Sequence, residues 1–156
     1  MFIYKNSLDE NSKFKFPENL QNALVLIQQA VAGEIKDSLF YTFLLNNAPS
    51  YEDIKIINDI REDEINHNKM FSSIYYDITS KEVPPINGET FIEPSSYCEG
   101  LKFAILGEQE SVQSYRQILY AMQMPVHINM LTEIITDEIR HGSLYNYLYS
   151  KNQCNI

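Results

Sequence analysis

The sequence predicts an all-α protein that folds as a four-helix bundle, built from two antiparallel helix hairpins joined by a long crossover. Apolar residues recur at three- and four-residue steps through four long segments, at about 18–47, 50–80, 95–123 and 125–151. All six prolines fall outside these segments or at the start of one. The connection between the second and third segments is much longer than the other two, as a crossover between hairpins requires.

The first hairpin is predicted to begin after Pro17, which precedes the first periodic segment. The run Asn-Asn-Ala-Pro-Ser at 46–50 separates its two helices and is short enough to make them antiparallel neighbours. Residues 1–17 mix apolar and charged side chains without a clear period. We therefore assign 1–17 to an N-terminal arm and 18–152 to the bundle.

The second hairpin follows a connection at about 81–93 that contains Pro84, Pro85 and Gly88. This stretch is long enough to cross the bundle from end to end. The third segment begins near Ser95, and Pro125 opens the fourth segment. Proline is well tolerated in the first turn of a helix, because its missing N–H would have no partner there.

The composition excludes several classes of protein. The chain carries 12 basic and 21 acidic side chains, so its formal net charge is −9 and its pI is about 4.7. An acidic surface repels phosphate, so nucleic acid is not an expected partner. No apolar run approaches the ~20 residues of a membrane span, and a hydrophobic content of 44% argues against disorder.

Two cysteines, Cys98 and Cys154, lie far apart in the sequence, and no Cys-x-x-Cys motif occurs. Zinc ribbons and rubredoxin-type iron sites are therefore excluded. One pair of cysteines is also too few for a disulfide framework in a chain of this length. We expect reduced cysteines and a cytoplasmic location.

The third histidine, His127, is interpreted as a surface residue far from any site.

Six polar residues interrupt the apolar stripes near the helix middles: Glu34, Glu64, His67, Glu108, Glu138 and His141. Glutamate is almost never fully buried unless it is paired or bound to a cation. Four carboxylates on one axis would repel one another strongly, and most would have to be protonated. Two divalent cations would balance the four negative charges, so this layer predicts a dinuclear metal site.

The spacing of these residues is a specific signal. Glu and His three positions apart lie on one helix face, and Asp-Glu-x-x-His occurs twice, at 63–67 and 137–141. The two motifs are separated by 74 positions, and the same offset carries Gly33-Glu34 onto Gly107-Glu108. One ungapped register thus includes every candidate ligand. It predicts a duplicated helix hairpin with a pseudo-twofold axis through the metal pair.

These motifs resemble those of the ferritin-like di-iron carboxylate superfamily, and among its members the bundle domain of rubrerythrin and bacterioferritin are most similar. The resemblance covers about residues 18–151 and implies a ferritin-like bundle. It also implies that Glu34 and His67 bind one metal and that Glu108 and His141 bind the other. Glu64 and Glu138 would bridge the two metals.

The resemblance further implies that the aspartate of each motif orients the other motif's histidine, so that Asp63 would orient His141 and Asp137 would orient His67. Asp37, three residues after Glu34, lies on the ligand face. It is either an additional metal ligand or, as we favour, a hydrogen-bond acceptor beside the site. Two tyrosines, Tyr41 and Tyr115, lie two turns beyond Glu34 and Glu108 on the same face. We interpret them mainly as core residues whose hydroxyl groups bond near the ligands.

Carboxylate and imidazole ligands favour two iron ions, with manganese or a mixed Fe/Mn pair as alternatives and zinc as an adventitious occupant. The predicted function is an oxidoreductase that reacts with hydrogen peroxide or dioxygen, as rubrerythrin does in oxidative stress. The alternatives are a ferritin-type ferroxidase or iron store, a non-catalytic module in which metals only stabilise the fold, and a hydroxylase. A hydroxylase would need an apolar tunnel to the metals.

Two features depart from rubrerythrin. We expect no cysteine-ligated rubredoxin domain, so electrons would come from a separate donor such as a rubredoxin. Rubrerythrins also carry an extra glutamate three residues after the ligand of the third helix, where this sequence has Ser111.

We further expect that the protein is a homo-oligomer, in the form of a dimer.

Overall fold

A computed structural model describes residues 11–86 and 90–154, except for the side chains of Glu34 and Ile35. Every regular element in these residues is helical, which confirms the predicted fold class. A 3-10 turn at Ser12–Phe14 precedes the α-helices. The α-helices are α1 (Leu20–Ala32), α2 (Glu34–Asn47), α3 (Tyr51–Thr79), α4 (Tyr97–Tyr120) and α5 (Pro125–Lys151).

The helix ends follow the local sequence. Ser50 and Ser96 cap α3 and α4, and each hydroxyl accepts a bond from the backbone N–H three residues later, at Asp53 and Glu99. Pro125 is the first residue of α5. The predicted second, third and fourth segments therefore match α3, α4 and α5 to within a few residues.

The first segment differs from its prediction as one continuous helix. Its helical geometry is interrupted at Gly33, where φ is −72° and ψ is −6°. Glycine has a weak helix propensity, because it loses much backbone entropy on ordering. The equivalent Gly107 lies inside the unbroken α4, so the two halves of the repeat are not identical. The interruption places Glu34 at the first position of a new helix.

Both hairpins are antiparallel. In the first hairpin, the side-chain amide of Asn68 on α3 donates to the carbonyl of Val31 on α1. The side-chain amide of Gln28, earlier on α1, donates to the carbonyl of Pro84, which lies beyond the end of α3. Residue numbers therefore rise along α3 as they fall along α1. In the second hairpin, a disulfide joins Cys98 near the start of α4 to Cys154 just after α5, with a Cα–Cα distance of 5.4 Å. The expectation of reduced cysteines is thus wrong, because antiparallel packing brings the two ends of this hairpin together.

The same end of the bundle contains a buried carboxylate. Asp53, whose side chain is fully buried, contacts the Lys151 ammonium and accepts hydrogen bonds from Asn152 Nδ2 (2.6 Å) and Tyr97 Oη (3.1 Å). Burial alone would raise the pKa of Asp53, but Lys151, Ser50 and the other donors outweigh it and lower the pKa to about 2. The start of α3 and the end of α5 are therefore joined through an ionised carboxylate.

Two apolar clusters form the core. One contains Leu44, Ile57, Ile60, Leu101 and Leu148 among its fully or almost fully buried members. The other contains Ala23, Ile27, Phe71, Ile74, Ile118, Ala121, Met122, Leu131 and Ile134. On α3 and α5, the motif residues lie between the members of one cluster and the members of the other. The carboxylate and imidazole groups therefore form a polar layer across the middle of the bundle.

His127, in the first turn of α5, differs from its prediction. His127 is 2% exposed and its Nε2 lies 3.0 Å from Asp77 on α3, so its interpretation as a surface residue is wrong.

Of the predicted arm, residues 1–10 lie outside the described residues, and Phe14 packs on Tyr120 of α4 with a ring separation of 4.7 Å. No helix in the described part of the chain is long and apolar enough to span a bilayer.

Candidate metal centre

Four of the predicted ligands gather around one point in the interior. Glu64, Glu108, Glu138 and His141 each contribute an oxygen or nitrogen atom, and these atoms lie within 4.8 Å of one another. They come from α3, α4 and α5. Glu138 and His141 are almost fully buried, and Glu108 is 8% exposed. The i, i+3 spacing within α5 places Glu138 and His141 on the same face of that helix.

His67 completes the arrangement from the other motif. Its ring stacks against that of His141, with centroids 5.8 Å apart and an interplanar angle of 28°. Its Nδ1 lies 3.1 Å from Glu138 and 3.5 Å from Glu64, and Nδ1 of His141 lies 3.1 Å from Glu64. Each histidine therefore directs Nδ1 toward the carboxylate of the opposite motif, which is the arrangement expected around a pseudo-twofold axis.

The other nitrogen of each ring has a defined partner. Nε2 of His67 lies 3.2 Å from Asp137, and Nε2 of His141 lies 3.1 Å from Asp63. These are the two pairs named in the sequence analysis. An ionised carboxylate can only accept, so each Nε2 carries the hydrogen and donates it. The neutral form of each ring then presents the lone pair of Nδ1 to the centre, as a metal ligand must.

A single arginine supports both aspartates, which the sequence analysis did not foresee. Nη2 of Arg140 lies 2.7 Å from Asp63 and 2.7 Å from Asp137. Burial would raise the pKa of Asp137, but Arg140 and His67 lower it, so this carboxylate remains an acceptor. In the first motif, the residue equivalent to Arg140 at the 74-residue offset is Asn66, which has no guanidinium group. One guanidinium therefore serves both halves of the repeat, and only the tertiary structure shows this.

The ionisable groups at the centre shift one another's pKa values. Burial tends to raise the pKa of Glu64, but His141 and His67 outweigh it and lower the pKa to about 2. Burial tends to lower the pKa of His67, but Glu138 and Glu64 raise it to about 10. Burial and the nearby Glu138 raise the pKa of Glu108 well above its usual range. A proton on His67 thus reduces the repulsion among the carboxylates, and the raised pKa of Glu108 acts in the same direction.

The geometry suits metal ions. Four buried atoms at the centre face one another as two pairs, Glu138 Oε1 with His67 Nδ1 and Glu64 Oε1 with His141 Nδ1, each 3.1 Å apart, but the pairs lack the alignment of a hydrogen bond. Hydrogen bonds weaken steeply when they are poorly aligned. All four are oxygen or nitrogen atoms of the types that bind iron and manganese. Metal ions at this point would bind all four atoms.

Two further predicted residues can be placed only in part. The side chain of Glu34 lies outside the described residues, although its backbone begins α2. Asp37, one turn later, lines both of the cavities that reach the centre, and its charge contributes to the raised pKa of Glu108. Its role as a ligand or as an acceptor stays a prediction.

Three tyrosines lie beside the ligands. Tyr41 and Tyr115 are at the positions expected from the sequence, and Tyr145, four residues after His141, was not singled out there. Burial, followed by neighbouring charged or phenolic groups, raises the pKa of all three phenols. They therefore remain neutral and can donate hydrogen bonds to carboxylates. The position of Tyr145 on the ligand face of α5 was the signal that could have identified it.

Two cavities connect the centre with the outside. One, of about 190 Å³, runs past Arg61 and Asn68 on α3 to Glu64. The other, of about 450 Å³, lies between α2, α4 and the crossover and reaches all three of the described glutamates. The predicted metal layer is thus buried, but small molecules have a path to it.

Comparison with known proteins agrees with this geometry. The family model described as Rubrerythrin matches residues 26–149, which include all six predicted ligands. The chain is also similar to an uncharacterized protein of Bacillus subtilis (strain 168), YhjR. The two are 32% identical over 139 residues, which cover 87% of this chain and 94% of the relative. No solved structure matches the chain significantly. The chain belongs to the rubrerythrin family.

Proposed function

We propose that this rubrerythrin-family chain is a di-iron oxidoreductase that reacts with hydrogen peroxide or dioxygen. The observation that carries the proposal is the convergence of Nδ1 of His67 and His141 on buried carboxylates, with each Nε2 donating to an aspartate. This pattern gives each histidine one nitrogen for a metal and one for support. A purely structural ion-pair layer would not require both nitrogens to be placed in this way.

The proposed ligands are the six residues identified by the repeat: Glu34, Glu64, His67, Glu108, Glu138 and His141. Two bound ferrous ions would supply the two electrons, and the solvent the two protons, that reduce hydrogen peroxide to two molecules of water, and a separate donor, such as a rubredoxin, would restore the electrons. Manganese and a mixed Fe/Mn pair remain alternative occupants, because the same ligands suit both metals.

The chain's own residues would control charge and protons at the centre. Asp63, Asp137 and Arg140 fix the rings of the two histidines, so that Nδ1 faces the metals. The phenol of Tyr41 is buried beside Glu64 and Glu108 and stays protonated, so it can donate a hydrogen bond to an oxygen atom at the site. The flanking apolar clusters restrict water, which strengthens electrostatic interactions in the interior.

The test is metal analysis of anaerobically prepared protein, followed by stopped-flow absorption after mixing the ferrous form with hydrogen peroxide or with dioxygen. We expect two metal ions per chain and rapid oxidation by peroxide, with turnover when a reduced rubredoxin is added. The double variant Glu64→Ala/Glu138→Ala should lose both metals, whereas the exposed pair Glu62→Ala/Glu133→Ala should keep them.

The other outcomes of this test support a different function or contradict the ligand assignment. Oxidation by dioxygen that is faster than oxidation by peroxide, without turnover, would support a ferroxidase. Full metal loading without a reaction with either oxidant would support a module whose metals only stabilise the fold. Retained metals in the Glu64→Ala/Glu138→Ala variant would contradict the ligand assignment itself.

The cellular setting and assembly are part of the proposal. A homodimer is proposed, and size-exclusion chromatography with light scattering tests it. We propose a cytoplasmic location. Most cytoplasmic thiols are kept reduced, so the Cys98–Cys154 disulfide is the feature of the structure that this location has to accommodate. Thiol alkylation of freshly lysed cells, followed by mass spectrometry, would show which form of the pair is present.

A further inference from the structure

The larger cavity beside the centre exceeds what peroxide or dioxygen requires. Its volume of about 450 Å³ corresponds to about 15 water molecules at ~30 Å³ each. Peroxide and dioxygen have only two heavy atoms. An apolar cavity of about 150 Å³ is enough to bind benzene, and binding sites for small organic molecules generally span ~300–1,000 Å³. The cavity, which includes the space beside Glu64, Glu108 and Glu138 that metal ions would fill, therefore has the size of an organic ligand site.

Part of the wall of this cavity is aromatic. Three phenyl rings line it, from Phe40 on α2, Phe91 on the crossover and Phe103 on α4. Ala104 continues the apolar wall toward Glu108. Aromatic rings in such a group bind another ring through edge-to-face or offset contacts. Polar residues such as Lys36, Thr90 and Ser111 also line the cavity, and the buried Glu108 and Glu138 mark its inner end.

The mouth of the cavity also exposes apolar surface. Phe103 is 49% exposed and Ile92 is 80% exposed, and both line the cavity. Such surface is common at sites that bind apolar ligands.

The repeat is asymmetric at this point. A Cβ atom added at Gly107 would have no neighbour within 4 Å, whereas one added at Gly33 would lie 3.1 Å from Oδ2 of Asp37. Gly107 is exposed and lines the larger cavity, one residue before Glu108. The absence of a side chain at Gly107 therefore keeps the outer part of the cavity open.

From the volume, the aromatic walls and the open space at Gly107, we propose that this cavity binds a small, uncharged aromatic molecule beside the metal centre. The proposal deepens the proposed function, because it adds an organic ligand to a site that reacts with peroxide or dioxygen. A neutral ligand is favoured because the carboxylates at the inner end repel anions, the metal ions that they would bind repel cations, and the rings provide the contact area.

Fluorobenzene is a suitable probe, since it has no group that binds metals, and ¹⁹F NMR reports its binding directly. The full chain would be titrated in metal-free, zinc-loaded and manganese-loaded forms. We expect saturable binding to the metal-free and zinc-loaded forms. In the manganese-loaded form, we expect additional paramagnetic broadening of the bound signal, because the probe would lie beside the metal.

The decisive variant is Gly107→Leu, which would narrow the outer part of the cavity from an exposed position with free space. It should weaken binding by about tenfold or more, equivalent to ~1.4 kcal/mol. Gln113→Leu adds the same side chain at an exposed position of α4 and is the matched control, with binding close to that of the wild type. If Gly107→Leu does not fold, Phe103→Ala, which removes one wall, should also weaken binding.

Three results would overturn the proposal: no saturable binding, equal binding by the wild type and the Gly107 variant, or bound probe without broadening by manganese. These results are separable from failure of the metal proposal. Peroxide reduction by a protein that does not bind fluorobenzene would reject only the organic ligand. Failure to bind metals would reject the di-iron function, while the metal-free titration would still test the cavity.

Discussion

Nε2 of His67 on α3 lies 3.2 Å from Oδ2 of Asp137 on α5, although 70 residues separate them in the sequence. The reciprocal pair, His141 and Asp63, has a separation of 3.1 Å. Each aspartate directly precedes the glutamate of its own motif but bonds the histidine of the other. The two motifs therefore hold each other in place, and α3 and α5 cannot rotate independently without breaking these contacts.

Replacing Asp137 by asparagine should weaken metal binding without unfolding the protein. The carboxamide can still approach Nε2, but it removes the charge that holds the ring of His67 with Nδ1 toward the centre. We expect a loss of metal affinity of about 10–100-fold, measured by competition with a chromophoric chelator. Asp59→Asn removes a charge from an exposed ion pair on α3 and is the control. Equal affinities in the two variants would contradict a supporting role for Asp137.

Metal binding should release protons. The pKa of His67 in the metal-free chain is raised from 6.5 to about 10, so its ring holds a proton at neutral pH, and the pKa of Glu108 is raised as well. A metal can bind Nδ1 only after its proton leaves. Calorimetric titration with Zn²⁺ in buffers of different ionisation enthalpy measures this release. An apparent enthalpy that does not change between buffers would contradict the expectation.

The metal-free protein should lose stability as the pH rises. A histidine whose pKa is higher in the folded state stabilises the protein below its unfolded pKa, and this contribution disappears as the pH rises through the folded value. For His67 the loss spans pH 6.5 to about 10. Urea unfolding at several pH values should show the decline, and His67→Gln should reduce it. Glu64 acts in the opposite direction, since its contribution is lost only as the pH falls toward about 2.

Two glycines of α4 should respond oppositely to alanine. At Gly107 the added methyl group meets open space, so Gly107→Ala should stabilise the helix by ~0.5–1 kcal/mol. At Gly100 the added Cβ would lie 2.8 Å from Leu44 and 3.1 Å from Phe43 in the core. Gly100→Ala should therefore destabilise the protein by ~1–3 kcal/mol through overpacking. Chemical denaturation measures both, and changes of the same sign would contradict the packing described here.

Reduction of the disulfide should lower the stability of the second hairpin. Cys98 and Cys154 are separated by 56 positions. The chain-entropy model gives ~4 kcal/mol for closing a loop of that length. The variant Cys98→Ser/Cys154→Ser should therefore unfold at a lower urea concentration than the oxidised wild type. Dithiothreitol should bring the wild type to the level of the variant and leave the variant unchanged. Equal midpoints for the oxidised and reduced wild type would exclude a stabilising bond.

Local periodicity explains why most of the fold could be predicted. The apolar stripes and the serine caps determine where α3 and α4 begin, and Pro125 determines where α5 begins. The break at Gly33 was missed, because a glycine inside a periodic segment interrupts a helix in some proteins and not in others. Its equivalent Gly107 remains within a continuous helix, so the neighbours of each glycine, not the residue itself, made the difference.

The sequence by itself determined which side chains share a face. Glu-x-x-His at i, i+3 and the common offset of 74 residues follow from the geometry of a single helix and from duplication. They sufficed to identify the polar layer, its repeat and the family resemblance.

Only the tertiary structure decided which faces meet. The sharing of Arg140 by two aspartates, the burial of His127 against Asp77, the Cys98–Cys154 pair and the large cavity at Gly107 all join distant parts of the chain. Such contacts depend on the rotation and separation of whole helices. Those quantities result from the packing of the entire core, and no local pattern specifies them.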